Sequence, residues 1–131
     1  MENLSERLDD LQDGIDDLLE KVSGESAVEL STILPAVSAR VADLLVLYAQ
    51  AHGKPMDTDT DLLQLLKAFV KGDPSLNAVR DNVREIVYYQ NCLAENRQDA
   101  LPKNPAKMAV RTLQHVYFYL RSRLEQESLL N

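Results

Sequence analysis

Between Leu34 and Ala51 the apolar residues Leu34, Val37, Val41, Leu44, Tyr48 and Ala51 recur three and four apart, and Leu45 and Leu47 widen the stripe on either side. An ordinary surface helix carries a narrower band, so this spacing predicts a helix over Ala36 to Ala51 that is covered on more than one face. A helix of that kind cannot stand at the edge of a fold. It predicts the centre of a helical bundle, and the rest of the chain is expected to supply the helices around it.

The first of these covers residues 3 to 22, where Leu4, Leu8, Leu11, Ile15, Leu18 and Val22 alternate spacings of four and three, with acidic residues in between. As a helix this is a seam of about 28 Å. Such a seam lies either on the chain's own core or against a second copy. Its carboxylates would repel their copies in a parallel pair, so a basic surface suits it better. Ser23-Gly24-Glu25-Ser26 ends it, with Gly24 suited to a C-terminal cap and Ser26 to a new N-cap, so a helix is expected to restart near Ala27. Pro35 then fits the first turn of the long helix if Ser31 or Thr32 is its cap, and His52-Gly53 with Pro55 ends that helix.

Asp57-Thr58-Asp59-Thr60-Asp61 has the alternating carboxylates of a calcium loop, but Leu62 stands where Gly is needed and Ala68 where the bidentate Glu should be. These residues fit helix capping by Thr58 and Asp61 instead, ahead of a short buried helix, Leu62 to Val70, that stops at Lys71-Gly72. Asp73-Pro74 opens the next helix, which carries Leu76, Val79, Val83, Ile86 and Leu93, broadened by Val87 and Tyr89, to about Asn96. After a loop around Pro102, Asn104-Pro105 opens the last helix. Ala106, Ala109, Val110, Leu113, Val116, Tyr117, Leu120 and Leu124 gather on its inner side, and Lys107, Arg111, His115, Phe118, Tyr119 and Ser122 on its outer side.

These elements define an all-α fold: a bundle of four main helices over residues 27 to 128, with an additional acidic amphipathic N-terminal helix over residues 1 to 22. A chain of 131 residues can bury one core without disulfides or metals, and the absence of Trp and of long alternating β-branched runs argues against strands. Cys92, the only cysteine, excludes an internal disulfide and is expected to be a buried, inert thiol. Met1-Glu2-Asn3 does not open a signal peptide, and no run approaches the roughly 20 apolar residues of a membrane span. A soluble, cytoplasmic protein with no membrane contact is the expectation.

The net charge of −7 is unevenly placed: residues 1 to 35 hold ten acidic and two basic residues, while the remainder hold eleven and twelve. Within residues 97 to 131, six basic side chains face three acidic ones. An acidic arm and a basic end are thus available to each other or to partners. The overall acidity, with a pI near 4.7, disfavours nucleic acid as the partner without excluding it.

No phosphate-binding loop, dinucleotide fingerprint, HExxH, CxxC or nucleophile elbow occurs, and neither histidine precedes the Lys-Gly pair of a phosphotransfer domain. No cofactor and no metal site is expected. The one pair with chemical potential is Arg111 and His115, placed side by side by their i, i+4 spacing. Arg111-Thr112-Leu113-Gln114-His115 resembles in part the Arg and His pair of the HEPN ribonucleases, helical bundles in which four to six residues separate the two; here three do. That resemblance implies an RNA phosphodiester held by Arg111 while His115 acts as acid and base, so the alternative function is a HEPN-like ribonuclease or a nucleotide-enzyme partner using these two residues. The primary expectation is different: a non-catalytic helical interaction module or adaptor that self-associates as a homo-oligomer or binds a protein partner. Its contact residues are expected to be Leu8, Leu11, Ile15 and Leu18 on the first helix and Lys107, Arg111, His115, Phe118 and Tyr119 on the last.

Overall fold

The computed structural model describes residues 3–24, 27–56, 60–71 and 73–130. Within them five α-helices follow one another: α1 (Leu4–Ser23), α2 (Leu30–Ala51), α3 (Leu62–Val70), α4 (Asn77–Ala94) and α5 (Pro105–Gln126). Short 3-10 turns at Pro74–Leu76 and Gln98–Ala100 precede α4 and α5, and the described residues contain no strand.

Helix α2 touches each of the other four helices, and its pairing with α5 is the most extensive in the fold. Six consecutive residues, Leu44 to Ala49, are buried, which requires neighbours on every side of the helix through those turns. The same all-round apolarity makes α2 long and apolar enough, by length and composition alone, to cross a membrane, contrary to the expectation that no segment would be. Here it is a core helix, with half of its most apolar stretch buried by the bundle.

Helix α2 begins at Leu30, with Glu29 in the cap position and no side-chain cap bond, and Pro35 lies inside it. Neither Ser31 nor Thr32 is the cap, and Pro35 is past the first turn. The proline costs the bond that its missing N–H would have made to the Ser31 carbonyl. Burial of Leu30, Ile33 and Leu34 holds the additional turn in place. At the other end Gly53 takes the left-handed conformation, φ 72°, expected of a residue just past a helix end.

Capping follows the expected chemistry at some ends only. The Asn3 side chain accepts from the Glu6 amide at 2.9 Å to start α1, and Asp61 accepts from Gln64 at 2.8 Å to start α3. Gly24 is extended (φ −69°, ψ 168°) and forms no left-handed cap. Asn104 sits before Pro105 but is left-handed (φ 55°) and makes no side-chain cap bond; the bend it introduces turns the chain into α5. Asp73 accepts from Ser75 and starts the 3-10 turn, so α4 proper begins three residues later than the Asp73-Pro74 signal implies. Ser26, Asp57, Thr58, Asp59 and Gly72, assigned capping or stop roles above, lie outside the described residues.

The α1 seam is filled within the chain. Leu8, Ile15 and Leu18 belong to the same buried cluster as the α2 and α5 core, and Leu4, Leu11 and Val22 pack partly against it. Tyr117 of α5, 1% exposed, donates its hydroxyl to the Leu8 carbonyl at 3.0 Å. Arg121 of α5 reaches Asp9 at 2.8 Å and also donates to the Tyr117 hydroxyl. One carboxylate of the acidic helix, Asp9, is thus matched by a basic side chain on the chain's own last helix. In α4 the buried stripe continues through Tyr89 and Cys92, while Leu93 and Val87 are only partly covered.

Candidate interaction surface

Helix α5 is enclosed on three sides, by α1, α2 and α4. Its inner residues Ala106, Ala109, Val110, Leu113, Val116, Tyr117, Leu120 and Leu124 are all buried, as their spacing predicts. The fourth side is open. Met108, Arg111, His115, Phe118 and Ser122 recur three and four apart along it, and all are exposed. Phe118 is 48% and Met108 36% exposed, two of the four large exposed hydrophobic residues described. Arg111 and His115 stand one turn apart between them and make no hydrogen bond or ion pair among the described residues.

The two remaining outer-face residues lie at its edges. The Tyr119 hydroxyl donates to the Ser75 carbonyl at 3.0 Å, so this half-buried side chain braces the Pro74–Leu76 turn instead of lying on a free surface. Lys107 is half-buried and lines a groove of about 360 Å³ with Val22, Ser23 and Gly24 at the far end of α1. Met108 falls on the exposed stripe although the sequence reading assigned it to neither face; its place three residues before Arg111 was the available signal. Of the four α1 residues proposed for contact, Leu8, Ile15 and Leu18 are core residues of this chain and Leu11 is partly covered.

On α1 the side away from the core carries Glu6, Asp9, Asp10, Asp13, Asp16, Asp17 and Glu20, all exposed. Asp9 is paired with Arg121. Asp10, Asp13, Asp16, Asp17 and Glu20 make no ion pair among the described residues. Apart from Asp9, self-repulsion along this face is therefore relieved by no ion pair among the described residues.

A second polar group, which sequence spacing did not suggest, joins the ends of α2 and α5. The Tyr48 hydroxyl donates to Glu127 Oε1 at 2.9 Å, and His52 Nε2 lies 2.7 Å from Glu127 Oε2. His52 Nδ1 lies 2.9 Å from the Tyr48 carbonyl, an acceptor only, so Nδ1 carries a proton. Burial alone would lower the His52 pKa, but the Glu127 carboxylate and the Tyr48 carbonyl outweigh it and hold the imidazole above its ordinary value. Burial acts oppositely on Glu127, where hydrogen bonds from His52 and Tyr48 prevail and hold the carboxyl below its ordinary range. Arg123 lies 6.0 Å over the Tyr48 ring and donates to the Ser75 hydroxyl at 2.8 Å, and that hydroxyl in turn donates to Asp73.

This group borders a cavity of about 210 Å³ lined by Tyr48, His52, Phe69 and Leu76, with Lys54 and Lys71 at its rim. Both His52 nitrogens are engaged, and Lys54 donates to the Ala68 carbonyl at 2.7 Å. The cluster is a closed set of structural contacts that fastens the end of α5 to the end of α2. A general base with a free nitrogen is not among its members.

Cys92 is 4% exposed in the core side of α4. Among the described residues no group of three or more His, Cys, Asp or Glu side chains is placed to hold a metal ion. No family model, curated protein or solved structure matches the chain.

Proposed function

We propose that the chain is a non-catalytic helical interaction module or adaptor that self-associates, and that its contact surface is the open stripe of α5. In this reading the acidic α1 packs on α5 and α2 and takes part in the bundle. The observation that carries the proposal is the pairing of Phe118 and Met108, both exposed, with Arg111 and His115, which have no side-chain partner among the described residues. Aromatic, Met and Arg side chains together form the composition enriched at protein contacts, and a lone solvated face would not collect them.

The same Arg111 and His115 are the pair that the HEPN resemblance singles out. Catalysis would require an enclosing wall to bring a phosphodiester to both at once, and their open position on α5 argues for contact instead. Two measurements test the proposal. Sedimentation of the parent beside Phe118→Ser and Arg111→Ala is expected to give a smaller mass for each variant. Incubation of the parent, Arg111→Ala and His115→Ala with labelled single-stranded RNA is expected to leave the RNA intact in all three. Cutting by the parent that is lost in both variants would replace the adaptor reading with the nuclease.

A further inference from the structure

Helices α1 and α5 lie side by side and run in opposite directions. Leu8 meets Tyr117 at one end, and Val22 to Gly24 line a groove with Asn104 to Lys107 at the other. Their open faces therefore adjoin on one surface of the molecule, a basic and apolar strip beside an acidic one. The two are matched in length: Met108 to Phe118 and Asp10 to Glu20 each cover eleven residues, about 15 Å of helix from end to end. They are also level with each other. If residue 8 stands opposite residue 117 and residue 23 opposite residue 105, Arg111 stands beside the turn that holds Asp13, Asp16 and Asp17.

A two-fold contact requires a surface that is complementary to itself, with each side offering what the other needs. Two adjacent strips of opposite charge meet that requirement when the two-fold axis runs along the helices between them. We propose that a second copy of this chain covers this surface in that way, the α5 stripe of each protomer lying along the acidic face of α1 in the other. The proposal rests on the reading of α5 as a self-association surface and specifies its partner and geometry.

Charge selects this axis over the alternative. An axis across the helices would lay each strip on its own copy, stacking the carboxylates of α1 against the same carboxylates and Arg111 against Arg111. The axis along the helices instead places Arg111 of each copy near Asp13 and Asp16 of the other. Phe118 and Met108 leave water as the strips close, which supplies an apolar contribution that charges alone lack. The four helices in contact, two from each copy, then form an antiparallel set.

The test is a charge exchange read by analytical ultracentrifugation of the full chain, with circular dichroism to confirm that each variant is folded. All the altered residues are exposed. The parent is expected to sediment at twice the mass of one chain at low salt and to shift toward the monomer at high salt. Arg111→Glu alone and Asp13→Lys with Asp16→Lys are each expected to be monomeric. Mixed together they are expected to recover the dimer, because every contact across the axis then pairs opposite charges. Recovery on mixing counts together with the loss in each variant alone and the weakening of the parent by salt. Strips packed on their own copies would also pair opposite charges on mixing, but their parent already sets like charges together, so it would tighten with salt and neither variant alone would be weakened by charge.

The other outcomes fall into distinct classes. A monomeric parent at about 100 μM overturns self-association as a whole. A dimer insensitive to Arg111→Glu and to Phe118→Ser places the contact on another face and overturns both the α5 reading and this geometry. A dimer weakened by Phe118→Ser but indifferent to the Asp13 and Asp16 changes keeps the α5 surface and overturns only its pairing with α1.

Discussion

Replacing Glu127 with Gln removes one charge from the cluster at the ends of α2 and α5 while leaving its shape intact. The Gln carbonyl can still accept from the Tyr48 hydroxyl, which reaches Glu127 at 2.9 Å. Its amide can donate to His52 Nε2, now a lone pair on a neutral ring whose Nδ1 proton still serves the Tyr48 carbonyl. What disappears is the attraction of the carboxylate for the imidazolium at 2.7 Å and, more weakly, for Arg123 at 3.9 Å; only the first titrates with His52. Charge-assisted hydrogen bonds contribute about 1.5 to 3 kcal/mol. Here the His52 and Glu127 side chains remain 32% and 31% exposed, so solvent screening brings the figure to about 1 kcal/mol.

The pH dependence follows from the direction of each shift. His52 is held above its ordinary 6.5, so its contribution is complete below about pH 6.5 and is lost as pH rises through the folded-state value. Glu127 is held below 4.5, so its contribution is present above about pH 4.5 and is lost as pH falls through its folded-state value. The window in which both are complete lies between about 4.5 and 6.5. At pH 6 the parent is expected to melt roughly 3 to 4 °C above Glu127→Gln, the shift that ~1 kcal/mol gives a domain of this size. At pH 8.5 the gap should narrow to the small contribution of the partly exposed Arg123 pair. Thermal melts by circular dichroism at both values decide it: a gap between parent and variant that is unchanged from pH 6 to 8.5 refutes the ion pair.

Three further perturbations probe the packing. Leu44, 1% exposed in the middle of α2, is expected to cost about 2 to 5 kcal/mol on replacement by Ala in chemical denaturation, and a loss below roughly 0.5 kcal/mol would mean that the core is centred elsewhere. Ile15→Asp places a carboxylate at a site only 2% exposed, so a loss of at least about 3 kcal/mol is expected; an unaltered melt would show that α1 does not dock on the bundle. Tyr117→Phe removes the hydroxyl that joins the Leu8 carbonyl to Arg121, for an expected loss of about 1 to 2 kcal/mol in urea unfolding; an unaffected midpoint would leave the α1 and α5 contact to apolar packing and the Arg121–Asp9 ion pair.

The helices were legible in the sequence where one physical signal dominated. Apolar residues on every side of α2 meant burial on every side, and the stripe from Ala106 to Leu124 named the inner face of α5 residue by residue. The ends were less legible because several weak effects compete there. Pro35 reads as a first-turn proline on backbone chemistry, yet burial of Leu30, Ile33 and Leu34 outweighs the lost bond and extends α2 past it. Asn104 reads as a side-chain cap, but the turn into α5 takes its left-handed backbone instead. For Tyr119 the helical position alone puts the ring on the outer face, and only the fold brings the Pro74–Leu76 turn within reach of its hydroxyl.

The two histidines show where spacing stops being informative. His115 attracted attention because Arg111 lies four residues before it, and His52 did not because its carboxylate partner lies 75 residues away. In the fold the order reverses. His52 is positioned, tuned and enclosed, but both its nitrogens are already committed to Tyr48 and Glu127. His115 has a free ring, yet no carboxylate or carbonyl among the described residues orients it, and Arg111 is its only charged neighbour one turn before it on that stripe. General acid and base work needs a ring that is both free and oriented, and each histidine offers only one of the two. On the proposed reading, Arg111 and the imidazole beside it, flanked by the exposed Met108 and Phe118, are covered by a second copy whose α1 carboxylates beyond Asp9 make no ion pair among the described residues.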